Sequence, residues 1–337
     1  MKNTQNFWST ALTMVAMLSV AGQGFAQAGD PWQVSTTIDG QPDLQGVWAN
    51  NTITPVERHE VFGDKEFLTD EDLVFLEQRV VELADQPGDA LFGNNILIAA
   101  FTGEIRPGEA ATGSYDQQWM AARSVHRRTA QIIDPPNGKY PPRTEQAIAT
   151  SREAAEYRRE HPADSWLDRS LGERCLSFGA PFLSSGYNSY WQIVQSRDHV
   201  VVMQEMVHDA RIIPLVERPA LDDDITLWHD DSRGYWDGDT LVIETSNFSE
   251  KSGAGPDTVA KVTVERLTRT GESQLQYQLT TNDPGSFTAP YTREIIFDAS
   301  PDAIYEYACH EGNYGMQFIL SGHRAEERFA REGVAEN

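Results

Sequence analysis

The chain has 337 residues, 39% of them apolar and 23% charged, with 17 Pro and 25 Gly. That composition belongs to a globular protein with enough length to bury a sizeable core, and it excludes fibrous or disordered classes. Asp and Glu number 51 against 27 Lys and Arg, a formal charge of −24. A field of that sign repels nucleic-acid phosphates and anionic lipid, so nucleic acid is excluded as an expected partner.

Residues 1–28 read as a secretory leader. Lys2 supplies the positive start, Ala11 to Ala21 the apolar stretch, and Ala26-Gln27-Ala28 a cleavage signature. Export to the periplasm or the medium follows as an expectation, with no later run long enough to span a bilayer. The two cysteines, Cys175 and Cys309, lie beyond the leader. In an oxidising compartment an even pair reads as a disulfide, tying the middle of the chain to its last strand. The competing reading is a nucleophilic Cys309 beside His310, which needs a free thiolate.

An opening segment, 29–66, contains Gly46-Val47-Trp48, similar to the first-strand signature of lipocalin-like barrels. From Thr69, Leu73, Leu76, Val80 and Leu83 recur at helical spacing. Thr69 is placed to cap this helix, and Asp70, Glu71 and Asp72 suit the positive end of its dipole. A second helix is expected over 116–129 and a third, exposed, over 144–160, making 67–186 a helical, loop-rich region. From Tyr187 the period changes to two. Strands are expected at 200–203, at 240–245 after the Asp237-Gly238 turn, and as a hairpin of 262–268 with 274–280. A further hairpin is expected from 292–297 and 304–309, and a short C-terminal helix over 325–331, within a tail that begins at 323. The fold class is therefore mainly β with a helical insertion. Residues 187–322 form an antiparallel meander, either a lipocalin-like barrel or a strongly curved sheet.

Three long strings, QEMVHDARIIPL (204–215), WHDDSRGYWDGDTLVIETSNF (228–248) and YEYACHEGNYGM (305–316), resemble a group of exported bacterial proteins. PDLQGVW (42–48) and IIDPPNG (132–138) fit the same group. The resemblance implies export and a β-rich, lipocalin-like fold. The resemblance implies no particular activity, and no catalytic residues are carried over from it.

Candidate chemistry comes from histidines beside carboxylates: Glu205, His208 and Asp209 with Arg211; His229, Asp230 and Asp231; His310 and Glu311; and His59 with Glu60. A carboxylate can hold an imidazole in one tautomer and tune it for proton transfer near neutral pH. Neighbours on a strand point to opposite faces, so each imidazole needs a partner from elsewhere in the chain; otherwise these are solvated surface pairs. The aromatic residues Tyr187, Tyr190, Trp191, Trp228 and Tyr235, with Asn188 and Arg211 as polar anchors, either line a ligand site or fill the core. No histidine pair has zinc-ligand spacing, and Asp222-Asp223-Asp224 and Asp237-Gly238-Asp239 read as solvated turns. No nucleophile elbow or nucleotide cradle occurs, and no cofactor is expected.

Three functions stay open. One is a secreted, cofactor-independent isomerase or lyase acting on a small apolar or aromatic substrate, with His208 or His310 as base, Asp209 or Glu311 as its partner and Arg211 stabilising negative charge. The second is a carrier for a hydrophobic ligand. The third is a metal-dependent hydrolase with dispersed ligands at His208, His229 and His310. Polar groups converging inside the cavity favour the enzyme, and a dry cavity favours the carrier.

Overall fold

The computed structural model describes residues 32–85, 90–91, 94–102, 120–222, 224–228, 231–249 and 260–333. The leader lies outside them, as do His229 and Asp230.

The first strand, β1 (Gly46–Ala49), forms where the Gly-x-Trp string stands. Trp48 is 1% exposed and donates its indole N–H to the Leu44 carbonyl at 2.9 Å, which satisfies the polar edge of a buried ring. Helix α1 (Asp70–Ala84) starts on the expected cap. The Thr69 hydroxyl accepts from the Asp72 N–H at 3.2 Å, and the Asp72 carboxylate accepts from the Thr69 N–H at 2.9 Å. That reciprocal pair satisfies two otherwise orphaned donors. Leu76, Val80 and Leu83 turn inward against α2 (Asn94–Thr102), whose Ile96, Leu97, Ala99 and Ala100 complete a small core with Ile53, Phe62 and Leu68. Helix α2 has no polar face along most of its length, and a periodicity search therefore misses it.

After the short strand β2 (Ile132–Asp134), helix α3 (Glu145–Glu160) is capped by Thr144 and lies exposed, as its sequence indicates. Strands β3 (Tyr190–Gln195), β4 (His199–Gln204) and β5 (Ala210–Pro214) form one antiparallel run. Strands β6 (Asp231–Asp237), β7 (Thr240–Ser246), β8 (Val262–Gly271), β9 (Gln274–Asn282) and β10 (Tyr291–Ser300) form another. Strand β1 joins the two runs, giving the order β5-β4-β3-β1-β10-β9-β8-β7-β6, with β2 paired to β10.

Apolar side chains alternate onto the inner face. Trp48, Trp191, Ile193, Val200, Val202, Ile213, Leu241, Ile243, Leu267, Leu275, Tyr277, Ile295 and Phe297 pack there as one cluster. The sheet curls far enough that Gly234 of β6 faces Ile213 and Leu215; a Cβ at Gly234 would stand 3.0 Å from Ile213 Cγ2 and 2.9 Å from Leu215 Cδ2. Among the described residues no ladder of hydrogen bonds joins β5 to β6. The architecture is thus a strongly curved meander and not a closed barrel.

Three expectations are corrected. Residues 120–129 are not helical: Ser124 bonds Asn51 and Ile53, Leu68 bonds Arg127, and Thr129 bonds Glu66, so this backbone is satisfied by neighbouring segments. Residues 116–119 lie outside the described part. The 292–297/304–309 hairpin does not form, because the edge of β10 is taken by β1 and β2, and residues 303–309 run without regular structure. The C-terminal helix, α4 (Gly315–Glu332), begins earlier and is longer than its sequence signal. No helix among the described residues is long and apolar enough to cross a membrane.

Candidate functional site

At one end of the curved sheet the inner face changes from apolar to polar. Ser232, Thr245, Thr263 and Thr281 stand in register on β6, β7, β8 and β9, each at most 7% exposed. Ser232 and Thr245 share a hydroxyl hydrogen bond of 3.0 Å, whereas the Thr263 hydroxyl has no protein partner. Glu265, two residues along β8 on the same face, takes a two-pronged ion pair from Arg211 at 2.6 and 2.8 Å. The Tyr277 hydroxyl donates to the same carboxylate at 2.9 Å. Burial, reinforced by the Glu265 charge, pushes the Tyr277 hydroxyl well above its ordinary pKa, so it remains a donor.

A cavity of about 560 Å³ opens over this polar end. Thr263, Thr281 and Leu279 come from its strands; Phe182, Phe287 and Tyr291 supply aromatic walls; Arg143, Lys261, Arg293 and Asp283 bring charge. Three cations against one carboxylate make this lining positive in a chain whose formal charge is −24. Arg143 is anchored by Ala147 O at 3.0 Å and Ser151 Oγ at 2.7 Å, and Lys261 lies 4.2 Å over the Phe248 ring. Asp283 is 5% exposed and accepts from the Ser286 N–H at 3.2 Å. Mixed aromatic walls with a few convergent charges are the usual makeup of a small-molecule site.

A second cavity of about 540 Å³ shares Leu183 and Arg293 with the first. Its lining includes Asn50, Thr52, Val56, Arg123, Ser185, Tyr187 and Met206. A third, about 210 Å³, lies beside His126 and Arg128.

The residues singled out in the sequence distribute differently. Arg211 is 3% exposed and committed to Glu265 inside the sheet. His208 is exposed on a turn after β4, its backbone at φ +49°, and its Nδ1 lies 3.2 Å from the Tyr307 carbonyl. Asp209 accepts from Ser177 Oγ at 2.7 Å. His310 and Glu311 are exposed just ahead of α4. Cys175 and Cys309 are joined, which excludes the free-thiolate reading and brings the segments around 177, 208 and 307 together. Neither His208 nor His310 lines any of the three cavities.

Among the aromatics, Trp191 fills the core, 5.2 Å from Tyr277 and 4.9 Å from Phe297. Tyr187 lines the second cavity; Tyr190 is half-buried, and Trp228 and Tyr235 are exposed. Asn188 donates to Glu205 at 2.6 Å. His59 caps the turn at Glu60, accepting from the Val61 N–H.

For metal, one group of donors among the described residues lies close together: Asp164, His323 and Glu327, within 4.8 Å of one another. The Asp164 carboxylate is already engaged by His161 at 2.6 Å, His323 at 3.2 Å and Arg324 at 3.9 Å. The arrangement is a surface ion-pair network, and it contains none of the histidines considered for a dispersed site.

Sequence reasoning passed over Arg143, Lys261, Thr263, Thr281, Asp283 and Arg293. One signal was available: the dry face of Leu275, Tyr277 and Leu279, continued by two residues, reaches Thr281, a polar residue on a buried phase. Comparison with family models, curated proteins and solved structures finds no match.

Proposed function

We propose that this protein is an exported binder of a small organic anion with an aromatic or apolar body, held in the cavity of Arg143, Lys261 and Arg293. The observation that carries the reading is the convergence of those three cations, with Thr263 and Thr281, onto one hollow walled by Phe182, Phe287 and Tyr291. In a site partly screened from water, an arginine or lysine hydrogen bond to a carboxylate contributes more than a neutral one, and the rings supply apolar contact for the rest of the ligand. A dry carrier for neutral lipids fits this lining poorly.

Calorimetric titration with benzoate and phenylacetate tests the reading. Lys261→Gln and Arg293→Gln each weaken binding at least about tenfold, the loss of one charge-assisted contact. Equal affinity in wild type and both variants overturns it.

Asp283 favours a second reading, turnover by a cofactor-independent isomerase or lyase. A buried carboxylate facing cations is suited to take a proton from carbon beside a bound carboxylate, whose developing charge the cations stabilise. On this reading the base is Asp283 and not His208 or His310. Asp283→Asn then retains the anion and loses exchange of its α-hydrogens with deuterium, followed by proton NMR. Exchange at the wild-type rate in Asp283→Asn rules this chemistry out.

A further inference from the structure

We infer that the neighbouring cavity, built around Arg123, is a second binding site for a small organic monoanion. Arg123 lies between the 51–53 segment and the 184–186 loop. Its Nη2 donates to Thr52 O at 3.2 Å and Ser185 Oγ at 3.3 Å, while Nε and Nη1 are buried without a hydrogen-bond partner. Among the described residues no carboxylate pairs with it within 4.0 Å. Burial holds its pKa down to about 10, which still leaves it charged at neutral pH. Two other side chains of the same lining also carry buried, unpartnered polar atoms: Asn50 Oδ1 and Arg293 Nε. Such groups are rare in folded proteins, and several at one hollow point to an occupant. An uncompensated buried cation is stabilised by an anion even without direct contact, because the attraction is strong where water is scarce.

The rest of the lining selects the kind of anion. Ile53, Pro55, Val56, Leu183, Tyr187 and Met206 present apolar surface. Arg123 and Arg293 are the cations of the lining and Glu57 its one carboxylate, already accepting from the Tyr140 N–H at 2.9 Å and paired with Lys139 at 3.8 Å, so the lining carries a single net positive charge. A phosphate, carrying nearly two charges, calls for a denser cluster of donors. A carboxylate on a short apolar or aromatic body matches both the charge and the surface.

Calorimetry with benzoate on the full mature chain tests this site independently of the first. Two equivalents bind to wild type; Arg123→Gln loses one and keeps the event that Lys261→Gln weakens. Val56→Trp, which fills the hollow and keeps Arg123 in the chain, loses the same equivalent and decides the matter should Arg123→Gln fail to fold. Unchanged stoichiometry and affinity in both Arg123→Gln and Val56→Trp overturn the inference. An event lost in Arg123→Gln but intact in Lys261→Gln, with no second event in wild type, supports this site and overturns the reading of the first cavity.

Discussion

Arg211 and Glu265 meet inside the sheet at 2.6 and 2.8 Å, although five strands separate β5 from β8 in the hydrogen-bonded order. The contact exists only because the sheet curls back on itself. Neither residue is more than 3% exposed, so each charge depends on the other for its solvation. Glu265→Gln takes the two-pronged ion pair away from a buried guanidinium and costs about 3–5 kcal/mol in urea unfolding. The double variant Arg211→Met/Glu265→Leu regains most of that loss, since no buried charge remains. A double variant no more stable than Glu265→Gln contradicts this account.

The Cys175–Cys309 bridge closes a separation of 134 residues. Among the described residues segment 303–309 lies in no strand, and the bridge, the His208–Tyr307 contact and the Asn313 side chain on Cys175 Sγ at 3.1 Å help to tie it down. In the chain-entropy account such a loop contributes up to about 5 kcal/mol. Cys175→Ser/Cys309→Ser therefore melts well below wild type under non-reducing conditions, and the gap closes when wild type is reduced. Equal melting temperatures before reduction count against a structural role for the bridge.

Asp298 predicts an acid-side dependence. Burial works against its ionised form, but the His126 imidazole, 3.5 Å from its carboxylate, and the neighbouring Ser124 outweigh it and hold its pKa below the ordinary 3.8. A depressed carboxylate contributes stability that is fully present above pH 3.8 and is lost as pH falls through the lowered value. Asp298→Asn is accordingly less stable than wild type at pH 5, with the difference shrinking below pH 3.8. Chemical denaturation at a series of pH values reads this out, and a constant difference across that range excludes the linkage.

Local signals in the sequence carried far, and non-local ones did not. The Thr69 cap, the β8–β9 hairpin and the 240–245 strand each rest on residues within one turn or one ladder, where spacing alone determines structure. Arg211 and Ile213 share the buried phase of β5, a strand not among those expected from the sequence, and the partner of Arg211 stands on β8, beyond the reach of any local rule. The same limit governs the cavity. Arg143 follows a loop, Lys261 precedes β8, and Arg293 sits at the irregular step in β10 beside β2. Only the folded topology brings them together. Histidines next to carboxylates attracted notice as chemical neighbours in sequence, yet His208 and His310 sit on exposed turns, where adjacency along the chain creates no enclosed site.

Gly186 offers a test of the packing around Arg123 that requires no ligand. Its backbone is at φ +81°, a conformation that costs a residue with a Cβ about 1–2 kcal/mol. A Cβ there would also overlap the Arg123 guanidinium at Nη1. The Arg123 side chain has little freedom to retreat, because Nη2 is fixed by Thr52 and Ser185 and the Gly186 N–H is itself bonded to Ser189 Oγ at 3.0 Å. Gly186→Ala therefore loses more than the backbone cost alone, about 2–4 kcal/mol with the steric clash included. Adding Arg123→Ala removes the clash and leaves only the conformational part, so the two changes cost less together than the sum of each alone. Strict additivity in a double-mutant cycle would show that the guanidinium does not rest against Gly186.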